Sequence, residues 1–142
     1  MECLVFSQVK EEIFKKEKIK KLVNLIFGKL KKNGLLSVHL VGEKRIKYLN
    51  KVYRGYDLVT DVLSFATEDN VFFKKAERDF GDIFICQKQI IKQARELKIN
   101  VEEEMFRMMV HGILHLLGHD HLKKEEAKKM FVTQEKLLKE LL

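Results

Sequence analysis

A chain of 142 residues has the length of one ordinary domain, which on folding buries roughly two-thirds of the surface that the unfolded chain exposes. With 46% hydrophobic and 35% charged residues, the composition excludes a disordered protein, and no apolar run approaches the ~20 residues that span a bilayer. The formal net charge of +7 is concentrated in residues 1–54, where 14 Lys and Arg stand against 5 Asp and Glu. We therefore expect one domain over residues 1–142. The basic N-terminal part is a weak indication of a polyanion such as nucleic acid, and a solvated helix coated with lysines explains it equally well.

The two cysteines, Cys3 and Cys86, lie far apart in the sequence. Such a pair fits reduced, buried thiols better than a disulfide framework or a thiolate metal site. The N-terminal residues show no basic segment followed by a long apolar stretch and a small-residue cleavage site. We therefore expect a cytoplasmic protein without membrane contacts, in which any metal is bound by histidine or carboxylate.

Apolar residues in the first part of the chain either alternate or recur at helical spacings. These patterns predict four elements, namely a strand at residues 3–6, a basic helix within residues 9–34, a strand at residues 35–41 and a helix at residues 43–54. Asn33-Gly34 and Gly55 are the expected ends of the two helices. Strands and helices thus alternate from the start of the chain.

The second part of the chain predicts two further strands and three further helices. The strands are expected at residues 61–67 and 81–87, and the helices at residues 88–99, 101–117 and 123–142. The polar residues 68–80 have the length of a functional loop. Asn100 followed by Glu103 has the form of a capping box at the start of the fourth helix. The expected fold is α+β, with a mixed β-sheet packed against helices.

The predicted helix at residues 101–117 is apolar around nearly its whole circumference, which indicates a buried, central helix. Polar residues on such a helix need a reason. At 100° per residue, Glu104, His111 and His115 fall within about 40° of one another, on a single polar stripe. Two imidazoles one turn apart can reach the same ion.

The segment HGILHLLGHDH, residues 111–121, predicts a metal site. Gly118 allows a left-handed turn after the helix, so that His121 can approach the point reached by His111 and His115. Catalytic zinc sites use three protein ligands and leave the fourth position to water. The sequence therefore predicts a zincin-like central helix and one metal ion per chain, bound by the three histidines. Histidine ligation suits Zn²⁺, the expected ion, although nickel, copper and iron bind similar sites.

The spacing of these histidines is shared with metzincin peptidases, whose pattern is H-E-x-x-H-x-x-G-x-x-H. The glutamate that deprotonates water in that mechanism is replaced here by Gly112. The same three histidines must therefore serve another reaction or work with a different base.

Three segments of the sequence resemble the motifs of one known protein family. HGILHLLGHDH resembles the H-G-x-L-H-L-x-G-Y-D-H signature of the YbeY family, and NKVYRGYDLVTDVLSF at residues 50–65 resembles its N-x-x-Y-R-G-x-D-x-P-T-D-V-L-S-F block. GDIFIC at residues 81–86 is similar to the G-D-I-x-I strand of the same family. The family comprises bacterial rRNA maturation factors that are regarded as metal-dependent endoribonucleases. The resemblance covers residues 36–121 in the family's order.

The resemblance implies an RNA substrate, the single-stranded regions of rRNA precursors, with processing of the 16S rRNA 3′ end and ribosome quality control as the biological role. It also implies zinc on the three histidines, Arg54 as the catalytic cation of the cleft, and the ribosomal small subunit or its proteins as partners. A guanidinium can bind phosphate bidentately, which suits a phosphodiester cleavage. Without the surrounding YRGYD segment, Arg54 would be interpreted as a surface arginine at a helix end.

Two alternatives to an endoribonuclease remain open. One is a metallopeptidase-like zinc hydrolase, because the ligand spacing is shared, although Gly112 argues against it. The other is a non-catalytic ribosome assembly factor whose zinc is structural.

Two positions depart from the family pattern. His119 stands where the family has tyrosine, which adds an imidazole beside the ligands, and Val59 stands where it has proline, which loosens a turn. His119, Asp120 and Ser64 are candidates for groups that lie beside the metal or at the edge of the substrate.

Overall fold

Strands and helices alternate through the first half of the chain, and three helices follow β4. The computed structural model describes residues 1–67, 79–118 and 124–141. In these ranges the elements are β1 (Glu2–Ser7), α1 (Lys16–Lys29), β2 (Leu35–Val41), α2 (Glu43–Arg54), β3 (Val62–Ala66), β4 (Asp79–Cys86), α3 (Gln87–Leu97), α4 (Val101–Leu116) and α5 (Lys124–Leu141). Every strand and helix expected from the sequence is present, and the α+β class is confirmed.

The four described strands form one mixed sheet in the order β1-β2-β4-β3. β1 and β4 run parallel to β2, whereas β3 runs antiparallel to β4 and forms an edge. Phe6, His39 and Phe84 occupy matching positions on β1, β2 and β4, so their side chains lie in a line across the sheet. The expected mixed sheet is confirmed.

The helices divide between the two faces of the sheet, because successive strand side chains point to opposite sides. α1, α3, α4 and α5 pack on the inner face, where Ile83 and Ile85 are fully buried. On the outer face, Ile46 and Leu49 of α2 pack against Leu63 of β3. Helix α4, which carries His111 and His115, and helix α2, which ends at Arg54, therefore lie on opposite faces of the sheet.

The first helix is shorter than its sequence pattern predicts at both ends. The backbone N–H groups of Ile13 and Phe14 donate to Gln87 Oε1 at 3.0 and 3.3 Å, so the preceding chain is held as a loop, and α1 begins only at Lys16. The helix ends at Lys29, and the carbonyl of Gly34 instead accepts a hydrogen bond from Glu2 N at 2.8 Å beside β1. Tertiary hydrogen bonds thus override the local helical pattern.

Other boundaries follow the sequence closely. α2 ends before Gly55 with φ 78°, and Gly118 after α4 has φ 90°, as both glycine stops predict. Asn100 caps α4, but its side chain accepts from Glu102 N at 2.7 Å and not from Glu103 N. Of the predicted loop at residues 68–80, the last two residues belong to β4, and residues 68–78 lie outside the described ranges.

The cysteines are buried, free thiols, as the sequence predicts. Burial raises the pKa of Cys3 to about 11 and also raises the pKa of Cys86 above its ordinary value. Both thiols are therefore protonated near neutral pH and are poor metal ligands or nucleophiles. Within the described residues, no helix is long and apolar enough to cross a bilayer.

Candidate active site

Helix α4 carries two of the predicted metal ligands through the interior of the protein. It contacts α1, α3, α5, β3 and β4, and Met109, Val110 and Ile113 on it have no exposed surface. The expectation of a buried, central helix is confirmed. His111 and His115 themselves are partly buried, on a helix whose position is set by close packing.

The imidazoles of His111 and His115 converge. Their Nε2 atoms are 3.0 Å apart, and their ring centroids are 4.5 Å apart with a 70° angle between the ring planes. Two nitrogens bound to a tetrahedral zinc, each ~2.1 Å from the ion, are separated by roughly 3.4 Å. The pair therefore fits a shared metal ion with only a small adjustment of either ring.

A glutamine on another helix orients the first imidazole. His111 Nδ1 donates a hydrogen bond to Gln134 Oε1 of α5 at 3.2 Å. With the proton held on Nδ1, the lone pair of His111 lies on Nε2, the atom that faces His115. Partners of this kind set the tautomer and ring orientation of metal-binding histidines.

The third predicted ligand, His121, lies outside the described residues, as do His119 and Asp120. Among the residues that are described, no group of three or more His, Cys, Asp or Glu side chains could hold a metal ion. The left-handed turn at Gly118 is the last described point before His121. The three-histidine site and the zincin-like geometry remain predictions.

Glu104, the third polar residue on the stripe of α4, has a separate structural role. It is 2% exposed, and its Oε2 accepts from Gln93 Nε2 of α3 at 3.1 Å. The same nitrogen donates to Asp61 Oδ2 at 3.1 Å, and Arg107 Nε lies 3.6 Å from Glu104 Oε1. This network ties α4 to α3 and to the start of β3, and so supports the helix that carries the imidazoles.

Gly112 allows α4 to lie close against β3. A Cβ atom at this position would be 3.2 Å from both Ser64 Oγ and Val62 Cγ2 and 3.4 Å from Ile83 Cδ1. Ser64 Oγ also donates to the carbonyl of Gly112 at 2.9 Å, so the serine contacts backbone beside His111. The position that holds the catalytic glutamate in peptidases therefore faces the sheet, where a longer side chain has no room.

Arg54 is the last residue of α2 and is exposed on the outer side of the sheet. The preceding residue, Tyr53, contacts Phe65 of β3 with ring centroids 5.2 Å apart. Phe65 follows Ser64, whose hydroxyl donates a hydrogen bond to the carbonyl of Gly112 on α4, the residue after His111. Arg54 and His111 thus lie on helices at opposite faces of the sheet, and each is the neighbour in sequence of a residue that contacts β3.

Known proteins are similar to this chain in both sequence and fold. The family model described as Endoribonuclease YbeY matches residues 5–142. The chain belongs to the endoribonuclease YbeY family. Endoribonuclease YbeY of Ureaplasma urealyticum is 37% identical over 147 aligned positions, which cover 99% of this chain and 92% of that protein. Endoribonuclease YbeY of Aquifex aeolicus is 41% identical over 128 positions, which cover 89% and 83% of the two chains.

A solved structure agrees with this assignment. The solution structure of a protein from Thermotoga maritima is 32% identical and has a TM-score of 0.66, covering 97% of this chain and 87% of that one. The membership in the YbeY family that the three sequence segments predict is confirmed.

Two features of this YbeY family member were missed by sequence reasoning. Gln134 precedes Leu137 and Leu138 by three and four residues on α5, and all three are buried. Gln134 therefore stands on the apolar stripe of α5, and a polar residue in such a position is the sequence signal that could have identified it. The close packing of Gly112 on Ser64 had no local signal, because it depends on how α4 meets β3.

Proposed function

We propose that this protein is a zinc-dependent endoribonuclease that cleaves single-stranded regions of rRNA precursors, including the 3′ end of 16S rRNA. The role would be ribosome maturation and quality control in the cytoplasm, on or near the ribosomal small subunit. The family membership supports the reaction class. The single structural observation that carries the proposal is the convergence of His111 and His115, with their Nε2 atoms 3.0 Å apart.

The proposed metal ligands are His111, His115 and His121, with one Zn²⁺ per chain. A bound zinc ion supplies Lewis acidity toward a phosphoryl oxygen and lowers the pKa of water. The residues of this chain hold the site in position. Gln134 keeps the proton of His111 on Nδ1, and Ser64 holds the backbone beside His111 against β3.

Arg54 is the proposed catalytic cation. Its guanidinium presents two parallel donors, which match two oxygens of the phosphate at or beside the cleaved bond. We expect an extended RNA strand that crosses the edge of the sheet at β3 to contact Arg54 and the metal site, because their sequence neighbours Tyr53 and Gly112 both contact that strand. Charge that develops on the phosphoryl oxygens during cleavage would be stabilised by the preorganised guanidinium.

RNA is favoured over peptide as the substrate by two features of the chain. Exposed lysines and arginines on α2 accompany Arg54, and the sequence up to that residue is strongly basic. Gly112 faces the sheet, so no side chain of the peptidase type can reach the imidazoles from that position. A metallopeptidase-like function is correspondingly disfavoured.

The function is tested by incubating metal-loaded protein with a single-stranded RNA, the matching duplex and an unstructured peptide. We expect cleavage of the single strand alone, and RNA affinity that decreases as salt rises, because lysines and arginines release condensed counterions. Peptide hydrolysis would support the peptidase alternative. Metal binding and RNA binding without any cleavage would support the assembly-factor alternative.

We expect Gln134→Leu to weaken zinc binding by about 10- to 100-fold, the usual effect of removing the partner of a metal-binding histidine. Leucine fits the apolar stripe with Leu137 and Leu138 but cannot accept the hydrogen bond from His111. A competition titration against a chromophoric zinc chelator measures the change. Gln134→Glu, which keeps an acceptor oxygen, is the matched control and should bind zinc at least as tightly as the unchanged protein. Equal affinity in the leucine variant would show that Gln134 does not orient the imidazole.

A further inference from the structure

An exposed tyrosine ends a row of aromatic rings on the outer face of the sheet. Tyr53 packs edge-on against Phe65 at 5.2 Å and 68°, and Phe65 packs edge-on against Phe84 at 5.6 Å and 83°. Phe84 is stacked on His39 at 4.3 Å, and His39 is stacked on Phe6 at 5.1 Å. These five residues form an aromatic row that connects α2 with all four strands of the described sheet.

Burial does not explain the presence of a tyrosine at this position. Tyr53 is 65% exposed, although its ring is supported by Phe65. Tyr56 and Leu58, which follow the end of α2, are exposed to a similar degree. A largely exposed ring that is supported by a neighbour can accept a planar ligand with little further loss of conformational entropy.

The charge around Tyr53 favours an anionic ligand. Arg54 is about 100° away from Tyr53 around α2 and Arg45 is about 80° away on the other side, and both are exposed. Lys47 and Lys51 lie farther around the helix, and the carboxylate of Asp57 is 4.0 Å from each of them. An aromatic face among basic side chains is the arrangement that proteins use to bind single-stranded nucleic acid.

We propose that Tyr53 is the platform on which an unpaired base of the RNA stacks, next to the phosphate held by Arg54. Neighbouring residues reach the base and the phosphate of one short stretch of strand. In a duplex both faces of each internal base are already covered, so Tyr53 favours unpaired RNA. This inference rests on the proposed function and adds to it the residue that selects single strands.

The proposal predicts that Tyr53→Ala weakens binding only when the strand carries bases. Affinities are measured by fluorescence anisotropy, with a chelator present to prevent cleavage, for an oligoadenylate and for an abasic oligomer of equal length. We expect Tyr53→Ala to bind the oligoadenylate about 5- to 150-fold more weakly, the usual effect of losing one base-stacking side chain. Affinity for the abasic oligomer should change by less than about twofold, since the phosphate contacts remain.

Two substitutions at the same position and one on the same helix act as controls. Tyr53→Phe keeps the stacking face and should bind the oligoadenylate like the unchanged protein, whereas Tyr53→Leu keeps apolar contact with Phe65 but should lose affinity like alanine. Tyr48→Ala removes a tyrosine that is 57% exposed and about 140° away around α2, so it should have little effect. Thermal unfolding of each variant shows whether it is folded.

The outcomes separate this inference from the proposed function. If Tyr53→Ala binds both oligomers like the unchanged protein, or loses equal affinity for both, then Tyr53 does not stack on a base. In either case the unchanged protein could still cleave single-stranded RNA, and the proposed function would stand. If the unchanged protein binds no RNA, both are overturned.

Discussion

Replacing His115 with alanine is expected to lower zinc affinity by more than about 100-fold, because the loss of a direct ligand exceeds the effect of losing a ligand's partner. Its Nε2 lies 3.0 Å from that of His111, so its removal leaves one of the two converging donors. RNA cleavage should be lost together with the metal. RNA affinity should change little, because phosphate contacts come from lysines and arginines. Metal analysis of purified, tag-free protein, single-turnover cleavage and anisotropy measure the three quantities.

The matched control for this experiment is His39→Ala. His39 lies in β2 on the outer face of the sheet, where its Nε2 is hydrogen-bonded to Asp82 Oδ1 at 2.8 Å. Its removal should leave zinc content and cleavage largely unchanged. If His115→Ala retains zinc at the original stoichiometry, the predicted site is wrong. If it loses zinc and unfolds while the unchanged protein cleaves no RNA, the metal is structural, as the assembly-factor alternative requires.

Replacing Arg54 with alanine is expected to lower kcat, because the activation free energy of cleavage rises by about 2–4 kcal/mol when a donor that stabilises transition-state charge is lost. This corresponds to a decrease of about 30- to 1,000-fold. Arg54→Lys should recover only part of the loss, because an ammonium group is a point charge and cannot bind two phosphate oxygens in parallel. Zinc content should stay the same in both variants, because Arg54 and the imidazoles lie on helices at opposite faces of the sheet. Single-turnover kinetics with saturating enzyme separate the cleavage step from binding.

Arg45→Ala provides the matched control for Arg54. Arg45 is an exposed arginine on the same helix, about 180° away around its axis. Both variants remove one positive charge from α2, so a general electrostatic effect would weaken RNA binding to a similar extent in each. Only Arg54→Ala should lower kcat. Unchanged cleavage by folded, metal-loaded Arg54→Ala protein would make Arg54 an ordinary surface residue.

The two predictions together test whether the active site straddles an edge strand. His115 lies on α4 at the inner face of the sheet, and Arg54 lies at the end of α2 on the outer side. Both helices pack against β3, and among the described strands β3 has a hydrogen-bonded neighbour on one side only, β4. A site built around such an edge is open to a polymer that runs along it. Tyr53, adjacent to Arg54, would then meet the same strand of RNA.

Features that depend on a few neighbouring residues were determined by the sequence. The i, i+4 spacing of His111 and His115 brings their rings together in any α-helix, and the apolar residues between them predict its burial. Gly55 and Gly118 ended their helices with positive φ, as expected. The signature segments also predicted the family. Each of these inferences uses a periodicity, a backbone preference or a motif that is contained within one stretch of chain.

Features that depend on distant parts of the chain were decided only by the tertiary structure. Gln134 meets His111 across 23 residues of sequence, and Gln87 holds the backbone of Ile13 across 74, which shortens α1. Gly112 packs on Ser64 across 48 residues, an approach that no helical pattern predicts. Side-chain partners of this kind are set by how helices dock on a sheet, and docking depends on the shape of the whole core. Local periodicity determines which face of an element is buried but not which residue it meets there.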